Sequence, residues 1–179
     1  MTDPWWYVPR EARVRYDLEY GSIANALRTT ARRMPDAEAL VAEDGRRSFG
    51  ELDADMHAAV RSVLALGVRP GERVAVWGPN SGRWLVAALG ILGAGAVLVP
   101  LNTRFKGEEA AYVLRKSGAR ALFATTDFLG IDHVEMLRQA GVEMTTVVLS
   151  GPSTAPCISI SSSANVHRPS SATNASASG

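Results

Sequence analysis

Cysteine is almost missing from this sequence of 179 residues: Cys157 stands alone, and only three histidines accompany it. A lone thiol cannot close an internal disulfide, and no histidine cluster stands at metal-ligand spacing from it. A reducing, cytoplasmic setting is therefore expected. Net charge is nearly absent too. The 19 Lys and Arg against 18 Asp and Glu leave +1, with the cations scattered along the chain, so the basic face of a nucleic-acid binder is missing. The opening MTDPWWYVPREARVR lacks the apolar core of a secretory signal. The one long uncharged run, Trp84 to Leu101, is about the minimum length that spans a bilayer. Gly90, Gly93 and Gly95 interrupt it, and the β-rich AVLVP that follows is closed by proline. A helix followed by a buried strand accounts for the same letters, and no membrane span is expected.

What is present is ordinary globular composition, with 46% hydrophobic and 21% charged residues, enough for one domain with a core. The chain is organised around RVAVWGPNSGRWLVAALGILGAGAVLVPL, Arg73 to Leu101. It reads as a buried strand over Arg73–Trp77, a helix starting near Asn80 or Ser81, a glycine-rich break at Gly93–Gly95, and a second strand ending at Pro100. This β-α-β unit argues for a parallel sheet covered by helices.

Around it, residues 1–20 carry Trp5, Trp6, Tyr7, Tyr16 and Tyr20 without a period and read as an irregular arm anchored by aromatics. Ser22 is a suitable N-cap for a helix to Arg33, with Ile23, Ala26, Leu27, Thr30, Ala31 and Met34 as its stripe and Pro35 as its stop. Asp44-Gly45 between ALVAE and RRSF predicts a tight hairpin. Glu51 to Leu66 is the next helix, ending at Gly67 in a left-handed position. Beyond Leu101 come a polar connection with Arg104 and Lys106, a helix over Glu108–Lys116 closed by Gly118, a strand over Arg120–Thr125, a helix over His133–Gln139 and a strand over Met144–Leu149. The fold class is α/β, an open sheet of the doubly wound kind with flanking helices. Residues 150–179 are mostly Ser, Ala, Pro, Thr, Asn and Gly with one charge, Arg168, and are expected to be disordered. Three segments result: an arm at 1–20, the folded part at 21–149 and a tail at 150–179.

Chemical motifs are few. Gly93-Ala94-Gly95 closes a helix and precedes a strand, the reverse of the order a dinucleotide fingerprint needs, which disfavours a nicotinamide-dependent enzyme. Gly78-Pro79-Asn80-Ser81-Gly82 sets its serine one place late for a nucleophile elbow, so Ser81 reads as a helix cap. No glycine run leads into Gly-Lys-Ser/Thr. No catalytic residue, metal ligand or cofactor-binding residue is assigned.

Taken in succession, S-F-x-E-L at Ser48–Leu52, G-x-R-V-A-V at Gly71–Val76 before Pro79-Asn80-Ser81, and GAGAVLVPLN at Gly93–Asn102 resemble the opening of the AMP-forming adenylating enzymes. V-P-L-N-T-R followed by Glu108-Glu109 is most similar to acyl-CoA synthetases and, within them, to the actinobacterial enzymes that activate steroid-ring fragments. The resemblance covers about residues 20–149. It implies the N-terminal portion of the adenylate-forming fold and a two-step reaction. A carboxylate attacks the α-phosphate of ATP, giving acyl-adenylate and pyrophosphate, and the thiol of coenzyme A then displaces AMP. ATP, magnesium and coenzyme A are implied for the full-length family, with a carboxylic acid as substrate. The family's phosphate loop ending in lysine, its magnesium-facing Glu, its ribose-binding Asp and its C-terminal lysine have no counterpart here. None of these cofactors is therefore expected to bind productively. Asn102, Thr103 and Arg104 are implied to form a loop near the site. The expected picture is an incomplete ligase, inactive alone, with an unrelated tail from Ser150 that a frameshift, a truncated gene or a partial gene model would each produce. The alternative is a small non-catalytic α/β binding module derived from that scaffold.

Overall fold

Apolar residues in this chain are patterned to cover a sheet on both faces, and the computed structural model describes residues 21–43, 45–126 and 128–149 in that arrangement. The expectations for the arm at 1–20, for Asp44 and for the tail at 150–179 lie outside the described residues. Helix α1 (Ile23–Arg33) leads to the antiparallel pair β1 (Glu38–Ala42) and β2 (Gly45–Ser48), and then to α2 (Phe49–Ala65). A βα series follows: β3 (Arg73–Trp77), α3 (Gly82–Gly93), β4 (Val97–Leu101), α4 (Gly107–Ser117), β5 (Ala121–Ala124), α5 (His133–Gln139) and β6 (Thr145–Val148).

The four later strands form one parallel sheet in the order β4-β3-β5-β6. Successive β3 residues point to opposite faces and build two cores. Val74 and Val76 join Phe123 and Val147 beneath Ala87 and Ile91 of α3 and Val63 of α2. Ala75 and Trp77 join Leu101, Leu122 and Ala124 beneath Ala110, Ala111 and Leu114 of α4 and Leu137 of α5. A third cluster packs Leu27 of α1 and Leu52, Met56 and Ala59 of α2 against Val86 and Leu89 of α3. Helix α3 thus lies between the sheet and α2, which explains why it is apolar nearly all round. It is 12 residues long, and among the described residues no helix is long and apolar enough to cross a membrane.

Local chemistry sets the ends. Ser22 caps α1 by accepting from Asn25 N at 3.1 Å. Ser48 and Glu51 form a reciprocal capping box on α2, with Ser48 Oγ accepting from Glu51 N at 3.2 Å and Glu51 Oε2 from Ser48 N at 2.8 Å. That box starts the helix at Phe49, two residues before the sequence reading. The expected stripe of α1 is narrower than read: Leu27 and Ala31 are buried, whereas Ile23 and Met34 are 62% and 51% exposed. Among the described residues the helix packs chiefly on α2 and α3, which cover its middle and leave its two ends exposed. Strand β4 also runs one residue past Pro100.

Candidate functional site

The strand order places a reversal between β3 and β5. The chain leaves β3 toward β4 on one flank and returns to β5 on the other, so the carboxyl ends of β3 and β5 meet at a topological switch point, where open α/β sheets commonly bind ligands. The described parts of three connections lie at that end of the sheet: 78–81 after β3, 102–106 after β4, and 125–126 with 128–132 after β5.

Each is tightly built. Thr125 N donates to Trp77 O at 3.1 Å, and a Cβ on Gly78 would stand 2.9 Å from Thr125 Cγ2, so the two strand ends touch and a larger residue there would have to displace the Thr125 side chain. Trp77 is fully buried, and its indole N–H donates to Asn102 O at 3.0 Å. Phe105 N donates to the same carbonyl at 3.0 Å, and Asn102 Oδ1 accepts from Arg104 N at 2.9 Å. The loop expected from the sequence, Asn102, Thr103 and Arg104, is therefore an Asx-type turn tied to the central strand. Asn102 and Arg104 are exposed and Thr103 is partly covered. Among the described residues neither Arg104 nor Lys106 forms a salt bridge.

Sequence reasoning missed His133. It is fully buried with its ring centroid 4.4 Å from that of Trp77, the planes 39° apart. Its Nδ1 lies 3.2 Å from both Oγ1 and the carbonyl oxygen of Thr125, while Nε2 has no hydrogen-bond partner among the described residues. An orphaned lone pair is tolerated better than an orphaned N–H, so the network assigns the proton to Nδ1, donating to the Thr125 carbonyl. No local pattern brings residues 77 and 133 together; the only signal was Asp132, whose carboxylate caps α5 through Val134 N at 2.9 Å and Glu135 N at 3.0 Å.

The remaining candidates take structural roles. Ser81 Oγ accepts from Trp84 N at 3.2 Å as the cap of α3. His57 Nε2 lies 3.1 Å from Arg28 Nη2, a nitrogen that can only donate. Neither histidine serves Ser81 as a base. Gly95 takes φ +75° in the turn between α3 and β4, the reverse of a phosphate-binding order. Among the described residues no three His, Cys, Asp or Glu side chains gather to hold a metal ion. The only lysines in the sequence, Lys106 and Lys116, close no glycine-rich loop. Among the described residues no cradle for a triphosphate with its magnesium is assembled, and no chemical step is assigned to them.

Comparison with known proteins places these elements. A family model described as "AMP-binding enzyme" matches residues 27–176, running past Leu149 into the Ser- and Ala-rich segment. The chain is 44% identical over 121 residues to a 3-[(3aS,4S,7aS)-7a-methyl-1,5-dioxo-octahydro-1H-inden-4-yl]propanoyl:CoA ligase of Mycobacterium tuberculosis, covering 68% of this chain and 24% of that protein. It is 36% identical over 124 residues to the mitochondrial medium-chain acyl-CoA ligase ACSF2 of Homo sapiens, covering 68% and 20%. The solved anthranilate CoA ligase AuaEII in complex with anthranoyl-AMP superposes with a TM-score of 0.67 at 28% identity, over 78% of this chain and 27% of that one. The chain thus spans between a fifth and a quarter of the length of these curated relatives. With the parallel sheet, its flanking helices and the motif order all in register with that group, the chain belongs to the AMP-binding enzyme family and builds the N-terminal part of the adenylate-forming fold.

Proposed function

We propose that this chain is the sheet-building N-terminal portion of an ATP-dependent, AMP-forming acyl-CoA ligase and does not catalyse that reaction by itself. The carrying observation is the contrast between family membership and content. The match to acyl-CoA ligases is strong, yet it covers only 20–24% of their length, and the sequence holds no loop in which a glycine run ends in lysine. In this reading the Asn102–Arg104 turn forms a wall near the acyl-adenylate site of the complete enzyme, with Arg104 as a cation offered to a phosphate or carboxylate. ATP, magnesium, coenzyme A and a carboxylic acid belong to that complete enzyme.

The test is pyrophosphate exchange into ATP by the purified chain with magnesium. The acids to offer first are those that the relatives' names suggest, a bicyclic-ketone propanoate and a medium-chain fatty acid. Exchange at the blank rate is expected, and clear exchange overturns the inactivity. The tail at 150–179 enters the reading as out of frame, supported by its abrupt composition and opposed by the family match that runs to residue 176. Resequencing through codon 150 decides: a lysine-ending Ser/Thr/Gly loop in another frame is expected, and its absence from all three removes that origin.

A second reading is favoured by one observation. The sheet is covered on both faces by helices of this same chain, as a self-standing α/β binding module requires. A cooperative thermal melt without rising light scattering supports the module, whereas aggregation at low temperature supports the broken ligase.

A further inference from the structure

The crevice at a switch point is ordinarily open to ligand. Here a pair of buried rings stands beside it, on the sheet face that α4 and α5 cover. Trp77, the last residue of β3, and His133, the first of α5, are both fully buried, Trp77 within the core on the face that α4 and α5 cover. Space filling alone would be served by any large apolar ring. An indole adds one N–H donor, and that donor is spent on the carbonyl of Asn102, the first residue beyond β4. Because Phe105 N converges on the same oxygen, one atom closes the turn and ties it to the central strand. Helix α5 braces the loop at both ends. Its first residue stacks on the indole, and its Met136 carbonyl stands 2.5 Å from where a Cβ on Gly107 would lie, so the exit of the loop rests on the same helix.

We infer that Trp77 and His133 form a post beside the switch point and act as positioning residues for the Asn102–Arg104 loop. The post fixes the backbone that presents Arg104. The inference deepens the proposed wall near the acyl-adenylate site and rests on that reading for its functional meaning. Its geometry can be tested with no nucleotide or acid present, so failure here leaves the family reading standing, and failure of the exchange assay leaves this one standing.

Limited trypsin digestion of the full chain reads the loop directly, because Arg104 and Lys106 are cleavage sites within it. Trp77→Phe keeps an aromatic ring and removes the donor. Initial cleavage at Arg104 and Lys106, divided by cleavage at Arg32 and Arg33 of α1, is expected to rise about fivefold, the scale of one lost hydrogen bond. His133→Ala is expected to raise the same ratio, and His133→Phe, which restores the ring without its nitrogens, to lower it again. An unchanged ratio in Trp77→Phe, or an equal rise at every site, overturns the positioning role. Should that variant not fold, hydrogen exchange of the four indole N–H groups in the unsubstituted chain decides. Protection of the Trp77 indole N–H by about a hundredfold over free indole is expected, and exchange at the free rate overturns the inference.

Discussion

Ser48 shows how much one side chain can decide. Its hydroxyl and the Glu51 carboxylate satisfy two of the orphan donors of α2, and Ala37 O and Pro35 O accept from Phe49 N and Gly50 N, both at 2.9 Å. Ser48→Ala should lower stability by about 1 kcal/mol, read as a shift in the chemical-denaturation midpoint with unchanged slope. Glu135 makes the pH prediction. Two hydrogen bonds from Arg138, at 2.8 and 2.7 Å, and then one from Gln139 at 3.0 Å, lower its carboxyl from the ordinary 4.5 to about 2. A depressed carboxylate stabilises fully above its unfolded value and loses that contribution as pH falls through the folded one. The melting temperature should therefore lose this increment between pH 4.5 and about 2. The group is exposed, so the increment is small and about 1 M salt should erase most of it. In Glu135→Gln the matching segment of the pH profile should be missing; an identical profile would remove the pair from the account.

Among elements, the crossing of α2 over α3 is the tightest contact. A Cβ on Gly90 would lie 2.3 Å from Ala59 Cβ and 2.9 Å from Ala59 C, and one on Gly93 would lie 2.8 Å from Val60 Cγ2. Backbone sits behind Ala59, so Gly90→Ala must push the helices apart and should cost about 1–3 kcal/mol, despite the gain in helix propensity that alanine brings. At Gly93 the obstacle is the end of a side chain, so Gly93→Ala should cost less. Equal melting temperatures for the two variants would contradict this ranking. These elements also show where the sequence was legible. The spans Arg73–Trp77 and His133–Gln139 match β3 and α5 as read, because turn and cap residues bound them on both sides. The order β4-β3-β5-β6 was not legible, since a β-α-β pattern states that strands are parallel but not on which flank the next one lands. The connection after Leu101 was legible from its polar residues, while its nearness to a site rests on family resemblance alone; the Trp77–His133 contact was not legible at all, because 56 positions and two crossovers separate the rings.

For the whole molecule the two edges of the sheet differ. On β4 the outer strand contains Pro100, which has no N–H to offer a second chain. On β6 the sequence Thr145-Thr146-Val147-Val148 carries neither proline nor charge, and among the described residues it pairs only with β5. Self-association should therefore proceed through β6. Thr145→Lys should reduce concentration-dependent light scattering, whereas the same change at Val97 on the opposite edge should leave it near the wild-type level. Equal effects at both edges would place the sticky surface elsewhere.

The central place of β3 also sets an order of events during synthesis. Its first flank is completed when Leu101 emerges, its second only when β5 begins at Ala121, 20 residues later by subtraction. At about 5–20 residues per second, one side of the nascent β3–β4 pair stays unpaired for about 1–4 s on the ribosome. Trp77 waits through that interval and about a further dozen residues before His133 arrives to cover it. The covering of the Trp77 indole thus comes late in the closing of the sheet, and a pause in translation between codons 101 and 133 should prolong its exposure to chaperones.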